Sequence, residues 1–135
     1  MKRPPIFLVS IFVVNLVGLY YQWYLVYPWF DQALHFLGGF FIAMLMANYL
    51  SEYFVNKNFL KNLLIIVGVT ILIGVVWEFA EYIANQALIE PVYKYFKIHA
   101  YFMGDLNDTV SDLLMDILGA TTLSLLHLLW SRKSH

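Results

Sequence analysis

Four aspartates stand at helical spacing in GDLNDTVSDLLMDILGA, residues 104–120: Asp105, Asp108, Asp112 and Asp116. Steps of three, four and four put them on one stripe of a helix, and Gly119 and Ala120 continue it. Two other segments carry similar groups. Asp31 and His35 are followed by Gly38 and Gly39, and Gly74, Glu78, Glu81, Tyr82 and Asn85 form a stripe of their own. Carboxylates that meet in a partly desolvated pocket do not all stay charged unaided; some take protons, or cations bind between them. A set of Asp and Glu with one His and no Cys suits hard or borderline divalent ions. Mg²⁺, Mn²⁺ and Ca²⁺ fit the oxygens, and Fe²⁺ or Zn²⁺ fits if His35 ligates. The acids are numerous enough for two close ions. The Glu-x-x-His pairs of carboxylate-bridged di-iron bundles are missing.

The rest of the chain says where such a pocket would sit. Of 135 residues, 61% are apolar and 13% charged, against about a quarter charged in a soluble domain. The composition is that of a membrane protein, and the net charge of −1 offers no surface for nucleic acid. Without cysteine there is no disulfide framework, thiolate zinc site or cysteine nucleophile.

A bilayer core of about 30 Å takes about 20 mostly apolar residues per helix. Four segments qualify, at about 6–27, 31–53, 60–85 and 109–130. The expected fold is therefore all-α: one integral membrane domain over residues 1–135, a four-transmembrane-helix bundle. The first apolar run has a basic start, but it ends in Tyr20, Tyr21, Trp23 and Tyr24 rather than at a small-residue cleavage site, so it reads as a retained span. Lys2, Arg3, Lys57, Lys61, Arg132 and Lys133 collect on the side of both termini, against Lys94 and Lys97 on the other, which puts the termini in the cytoplasm. The segment at about 91–102, PVYKYFKIHAYF, is aromatic, basic and too short to span. It is expected to lie in the outer interface, as a connector or as a lid.

On this topology seven of the nine acids fall at the outer ends of spans. Counting back from Trp130 at about 1.5 Å per residue places Asp116 about 7 Å below the outer hydrocarbon boundary. Small residues share faces with the acids, and small residues mark close helix packing in membranes, so the acids should point into the bundle. Structural roles compete for some of them. Asp31 and Asp105 could cap helix N-termini, and Thr109–Asp112 resembles a capping box. Glu78 and Glu81 lie near a helix C-terminus, where the dipole disfavours negative charge. Asp116 lies two turns inside its helix, where no cap needs it and a carboxylate marks function by default. Asn15, Gly18 and Gln22 add a weaker polar lining on the first span.

The motifs DQALHFLGGFF, WEFAEY and GDLNDTVSDLLMDILGA resemble the YjdF-type bacterial inner-membrane proteins and, more distantly, the VanZ-like family. The resemblance covers roughly Asp31 to Ala120 and falls on Asp31, His35, Glu78, Asp112, Asp116 and Gly119, with Asp105 and Asp108 matching the YjdF-type pattern alone. In the VanZ-like pattern Asp116 is more often Asn and an Arg precedes the late Asp; this chain has no such Arg. What the resemblance implies is a small multispan protein of a bacterial or archaeal cytoplasmic membrane. VanZ-like members are associated with glycopeptide-antibiotic resistance.

Three functions follow as expectations. The first is a metal-dependent membrane hydrolase or transferase open to the outer leaflet. Asp31, His35, Glu78, Asp105, Asp112 and Asp116 are its metal-ligand candidates, and Glu81 or Asp108 its general base toward water. A lipid-linked or phosphate-bearing headgroup would suit it as substrate. The second is an accessory protein whose bundle a metal locks. The third is a proton or cation translocator, disfavoured because the acids stop near mid-depth and the cytoplasmic halves of the spans are almost wholly apolar.

Overall fold

A computed structural model describes residues 4–54 and 58–133, with the side chains of 127–133 left aside. Its elements are α1 (Pro4–Tyr20), α2 (Trp23–Val26), α3 (Phe30–Tyr49), a single 3₁₀ turn (Ser51–Tyr53), α4 (Phe59–Ala87), α5 (Ile89–Phe96) and α6 (Leu106–Lys133). Among the described residues there is no strand. Apolar runs of this length form helices because a helix satisfies every backbone polar group within its own segment. Of the basic residues that oriented the chain, Lys2, Arg3 and Lys57 and the side chains of Arg132 and Lys133 lie outside the described residues, as does the side chain of Trp130.

The first apolar run is interrupted. Gln22 takes a left-handed conformation, φ 59°, and the helix stops at Tyr20 before the short α2. The expected continuity to Tyr27 fails there, at a left-handed residue that is neither Gly nor Pro. Pro28 then makes the tight turn into α3, with the Phe30 N–H donating to the Tyr27 carbonyl at 3.0 Å; proline suits the second position of such a turn because its φ is already set. Three helical segments, Phe30–Tyr49, Phe59–Ala87 and Leu106–Leu126, are long and apolar enough to cross a membrane, and α1 is a shorter apolar helix of 17 residues.

Helix starts are fixed by side chains. The Asn58 side chain accepts from the Lys61 N–H at 3.1 Å at the head of α4. At the head of α6, Asp105 Oδ1 accepts from the N–H groups of Asn107 and Asp108 at 2.9 and 3.1 Å. The helix therefore begins at Leu106, three residues before the Thr109 start that its capping-box pattern suggests. Asp105→Ala is expected to lower thermal stability by about 1 kcal/mol through loss of this cap, with cation content unchanged; unfolding in detergent beside elemental analysis checks both. Asp31, by contrast, caps nothing. Trp29 occupies the cap position of α3 and makes no side-chain cap bond.

The bundle is organised around α3 and α6, which run parallel, with α4 antiparallel to both. Glycines set the approach. A Cβ at Gly39 would meet the Asp116 backbone, with Asp116 Cα at 2.7 Å, and one at Gly119 would meet the backbone of Phe36 and Phe40, with Phe40 N at 2.7 Å. Away from the acids, Ala43, Ile66 and Ala120 form a buried apolar core flanked by Met46, Val67 and Leu123. Helix α1 packs along α3, where Gly18 admits the Phe30 ring and Phe7 stacks on Phe41 at 4.6 Å. Large apolar side chains cover the outside, including Leu64, Leu72, Phe79 and Ile83 on α4. So much exposed apolar surface fits a lipid environment rather than water.

Candidate functional site

Three helices bring their acid-bearing ends to one place. From α3 come Asp31 and His35, from α4 Glu78 and Glu81, and from α6 Asp112 and Asp116. His35, Glu78, Asp112 and Asp116 are buried, Asp112 almost completely at 2% exposure. The burial follows from the glycines: Gly39 and Gly119 let α6 approach α3 closely, and Gly74 of α4 faces the Asp116 carboxylate directly.

His35 stands at the centre with its two ring nitrogens differently engaged. Nε2 faces Asp31 Oδ1 at 3.8 Å and Glu78 Oε1 at 3.9 Å. Nδ1 faces Asp116 Oδ1 at 3.6 Å. All three separations exceed hydrogen-bond length. Two overlapping trios, Asp31–His35–Asp112 and His35–Glu78–Glu81, each place one ligand atom per residue within 4.8 Å of the others. Asp112 Oδ1 is buried without a hydrogen-bond partner; Glu78 Oε1 and Thr109 Oγ1 make no bond of full hydrogen-bond geometry, although the Thr109 hydroxyl stands near enough to act on the Glu78 carboxyl. Buried carboxylate oxygens are normally satisfied, because leaving one unpaired costs more than an ordinary hydrogen bond contributes.

The remaining acids are placed differently from one another. Glu81 Oε1 accepts from the Trp77 indole N–H at 2.8 Å, which aims the carboxylate. Asp105 is exposed and occupied as the α6 cap. Asp108 turns to the loop before α6, where its Oδ2 accepts from the Gly104 N–H at 2.9 Å and lies 3.5 Å from the Tyr101 hydroxyl. Neither Asp105 nor Asp108 joins the trios around His35. Burial raises the Tyr101 hydroxyl above the usual tyrosine value, and the nearby Asp108 and Asp31 carboxylates raise it further, so it stays a proton donor toward Asp108. Trp77 and Tyr101 are site neighbours that the sequence did not single out, Tyr101 lying in the segment expected in the outer interface. The four-residue step from Trp77 to Glu81 was the available signal for the first; Tyr101 had none.

At the rim, the Gln32 amide donates to Ser111 Oγ at 3.1 Å and ties α3 to α6. The PVYKYFK segment forms α5, whose end is marked by Lys97 at φ 58°. Lys94 lies over Tyr95, 5.8 Å from the ring centroid, and Lys97 over Tyr93 at 5.6 Å.

Residues 3–133 match a family described as "Predicted membrane protein (DUF2238)", and the chain belongs to that family. The YjdF-type resemblance is consistent with this membership, whereas the VanZ-like resemblance finds no support in the match. No curated protein and no solved structure matches the chain.

Proposed function

We propose that this member of the DUF2238 family holds a divalent cation among Asp31, His35, Glu78 and Asp112 and uses it in hydrolysis or group transfer on a phosphate-bearing headgroup. One observation carries the reading: Asp112 Oδ1 is buried with no hydrogen-bond partner, Glu78 Oε1 has none of full geometry, and both residues belong to trios that converge on His35. Five carboxylates gather around one imidazole. With His35 neutral as a ligand, a divalent cation offsets two of the negative charges and gives the orphaned oxygens a partner.

The residues divide by position. His35 Nε2, Asp31, Glu78 and Asp112 present ligand atoms. Asp116 Oδ1 stands 3.6 Å from His35 Nδ1; closing to hydrogen-bond length would orient the ring and leave Nε2 free of its proton, as outer carboxylates do behind metal-bound histidines. Glu81, steadied by Trp77 and part of the second trio, is the general base. Asp108 serves the loop and Asp105 the helix cap. Oxygen-rich ligation with a single nitrogen suits Mg²⁺, Mn²⁺ or Ca²⁺, and admits Fe²⁺ or Zn²⁺ through His35. The cation would supply Lewis acidity toward a phosphoryl oxygen. With both termini in the cytoplasm, the site opens to the outer leaflet.

Elemental analysis of the purified protein, beside Glu78→Gln/Asp116→Asn, tests this. Stoichiometric metal in the parent, absent from the double variant, and a melting temperature that chelator lowers in the parent alone are expected. A metal-free parent that chelator leaves unmoved would sink the reading. Metal without turnover on any phosphate ester would favour the accessory role over the enzyme.

A further inference from the structure

A cleft of about 210 Å³ lies between α1 and α4, close to the acid cluster. Helix α1 follows α3 and stands away from α4, meeting it where the Phe12 ring sits edge-on to Trp77 at 6.3 Å. That contact closes the cleft on one side, with the Trp77 indole held against Glu81. Leu16 lines one wall and Ala80 and Ala84 the other, and Tyr101 lies at the acid-bearing end. The volume is below the about 300–1,000 Å³ of a closed small-molecule pocket, but this cleft is open along its side. Leu16 is 49% exposed and Trp77 36%, although both line it. Two apolar helices flank the opening, so the medium at its mouth is the acyl-chain region of a bilayer.

Glu81 joins the cleft to the site. It lines the cleft and also forms the trio with His35 and Glu78. A molecule lying along the cleft would keep an alkyl chain against Phe12, Leu16 and Trp77 and bring its head to Glu81 and the cation ligands. An acidic cluster repels an anionic head unless a cation intervenes, so occupancy by a phosphate is coupled to the metal.

We infer that the α1–α4 cleft is a lateral entry from the bilayer for an alkyl phosphate, its chain held in the cleft and its phosphate at the acid–histidine cluster. This deepens the proposed function and rests on it for the headgroup. The choice of a lipid-phase molecule over free phosphate rests on the apolar walls and the sideways opening.

The test uses the full chain in a neutral sugar detergent, loaded with Mn²⁺ and titrated with dodecyl phosphate brominated at carbon 4, whose bromine, close to the head, quenches the tryptophan beside Glu81. Saturable quenching, lost in Trp77→Phe, is expected. Ala84→Phe, which fills the cleft and touches no cation ligand, is expected to weaken binding at least tenfold while Mn²⁺ retention by equilibrium dialysis is unchanged. Ethyl phosphate is expected to compete at least tenfold less well than dodecyl phosphate. The inference is overturned if ethyl and dodecyl phosphate compete equally, a comparison that needs no variant, or if a folded Ala84→Phe binds as the parent does. Failure of the parent to retain Mn²⁺ sinks the cation reading and, with it, the seat of the phosphate, but not the alkyl-chain cleft. Saturable quenching that Ala84→Phe abolishes in a protein without Mn²⁺ upholds the cleft as the seat of the alkyl chain and overturns the placement of the phosphate at the cluster.

Discussion

Asp112→Asn is expected to lower cation affinity at least about a hundredfold, the upper end of what loss of an outer partner does to a metal site, and at the same time to stabilise the metal-free protein. The opposite signs come from one fact. Asp112 is the most deeply buried acid, at 2% exposure, and one of its oxygens has no hydrogen-bond partner. With a cation present that oxygen is a ligand. Without one it is an unpaired acceptor among other carboxylates, and such a group costs about 1–3 kcal/mol or more. An amide of the same shape carries no charge and brings two donors to neighbours that are all acceptors. Equilibrium dialysis with Mn²⁺ reads the first effect, and thermal unfolding in detergent with chelator the second. Unchanged affinity would remove Asp112 from the ligand set. A metal-free variant less stable than the parent would mean that the carboxylate is a structural partner.

Gly39→Ala and Gly119→Ala are each expected to destabilise the protein by about 1–3 kcal/mol, the usual range for overpacking a close contact. Both added methyl groups would land on backbone of the opposite helix rather than on a side chain that can swing away. The two sites share the same seam, so their combined cost should differ from the sum. Gly38→Ala is the matched control. An added Cβ there meets nothing within 4 Å, and alanine is the better helix former by about 1 kcal/mol, so neutral or slightly raised stability is expected. Unfolding of the three variants in one detergent decides the matter. Equal destabilisation at Gly38 and Gly39 would mean that helix spacing does not set the cost. Gly74 differs from both, since its nearest neighbour is the Asp116 carboxylate, the movable end of a side chain.

Most of the gathering of acids was legible because two independent patterns coincided. Asp112, Asp116, Gly119 and Ala120 share one stripe, and Asp31, His35 and Gly39 another, so the residues that let helices approach named the face on which the acids meet. Sorting the acids was harder. Asp105 and Asp112 carry the same side chain near the same helix start, and both a cap and a ligand need an acceptor there; only the observed start at Leu106 separates them. Asp108 looked like part of the wall because it keeps the spacing. Its carboxylate instead closes on Gly104 and Tyr101, in a loop with no periodicity to read. The break at Gln22 was invisible for a related reason: a left-handed residue that is not glycine, asparagine or aspartate gives no compositional warning. The α1–α4 cleft is an absence of packing, and patterns of apolar residues report faces rather than gaps.

The seam between α3 and α6 also bears on how the protein is assembled. Chains are made from the N-terminus, so α3 and α4 enter the bilayer before the segment that supplies Asp112 and Asp116. An unpaired charge in lipid is costly, and the α3–α4 pair already contains a group that can compensate: His35 lies between Asp31 and Glu78, at 3.8 and 3.9 Å. A protonated His35 would serve there as an internal counter-ion during insertion. The parallel helix that follows then displaces lipid from a groove floored by Gly39, and the finished cluster comes into being at the last step of membrane integration.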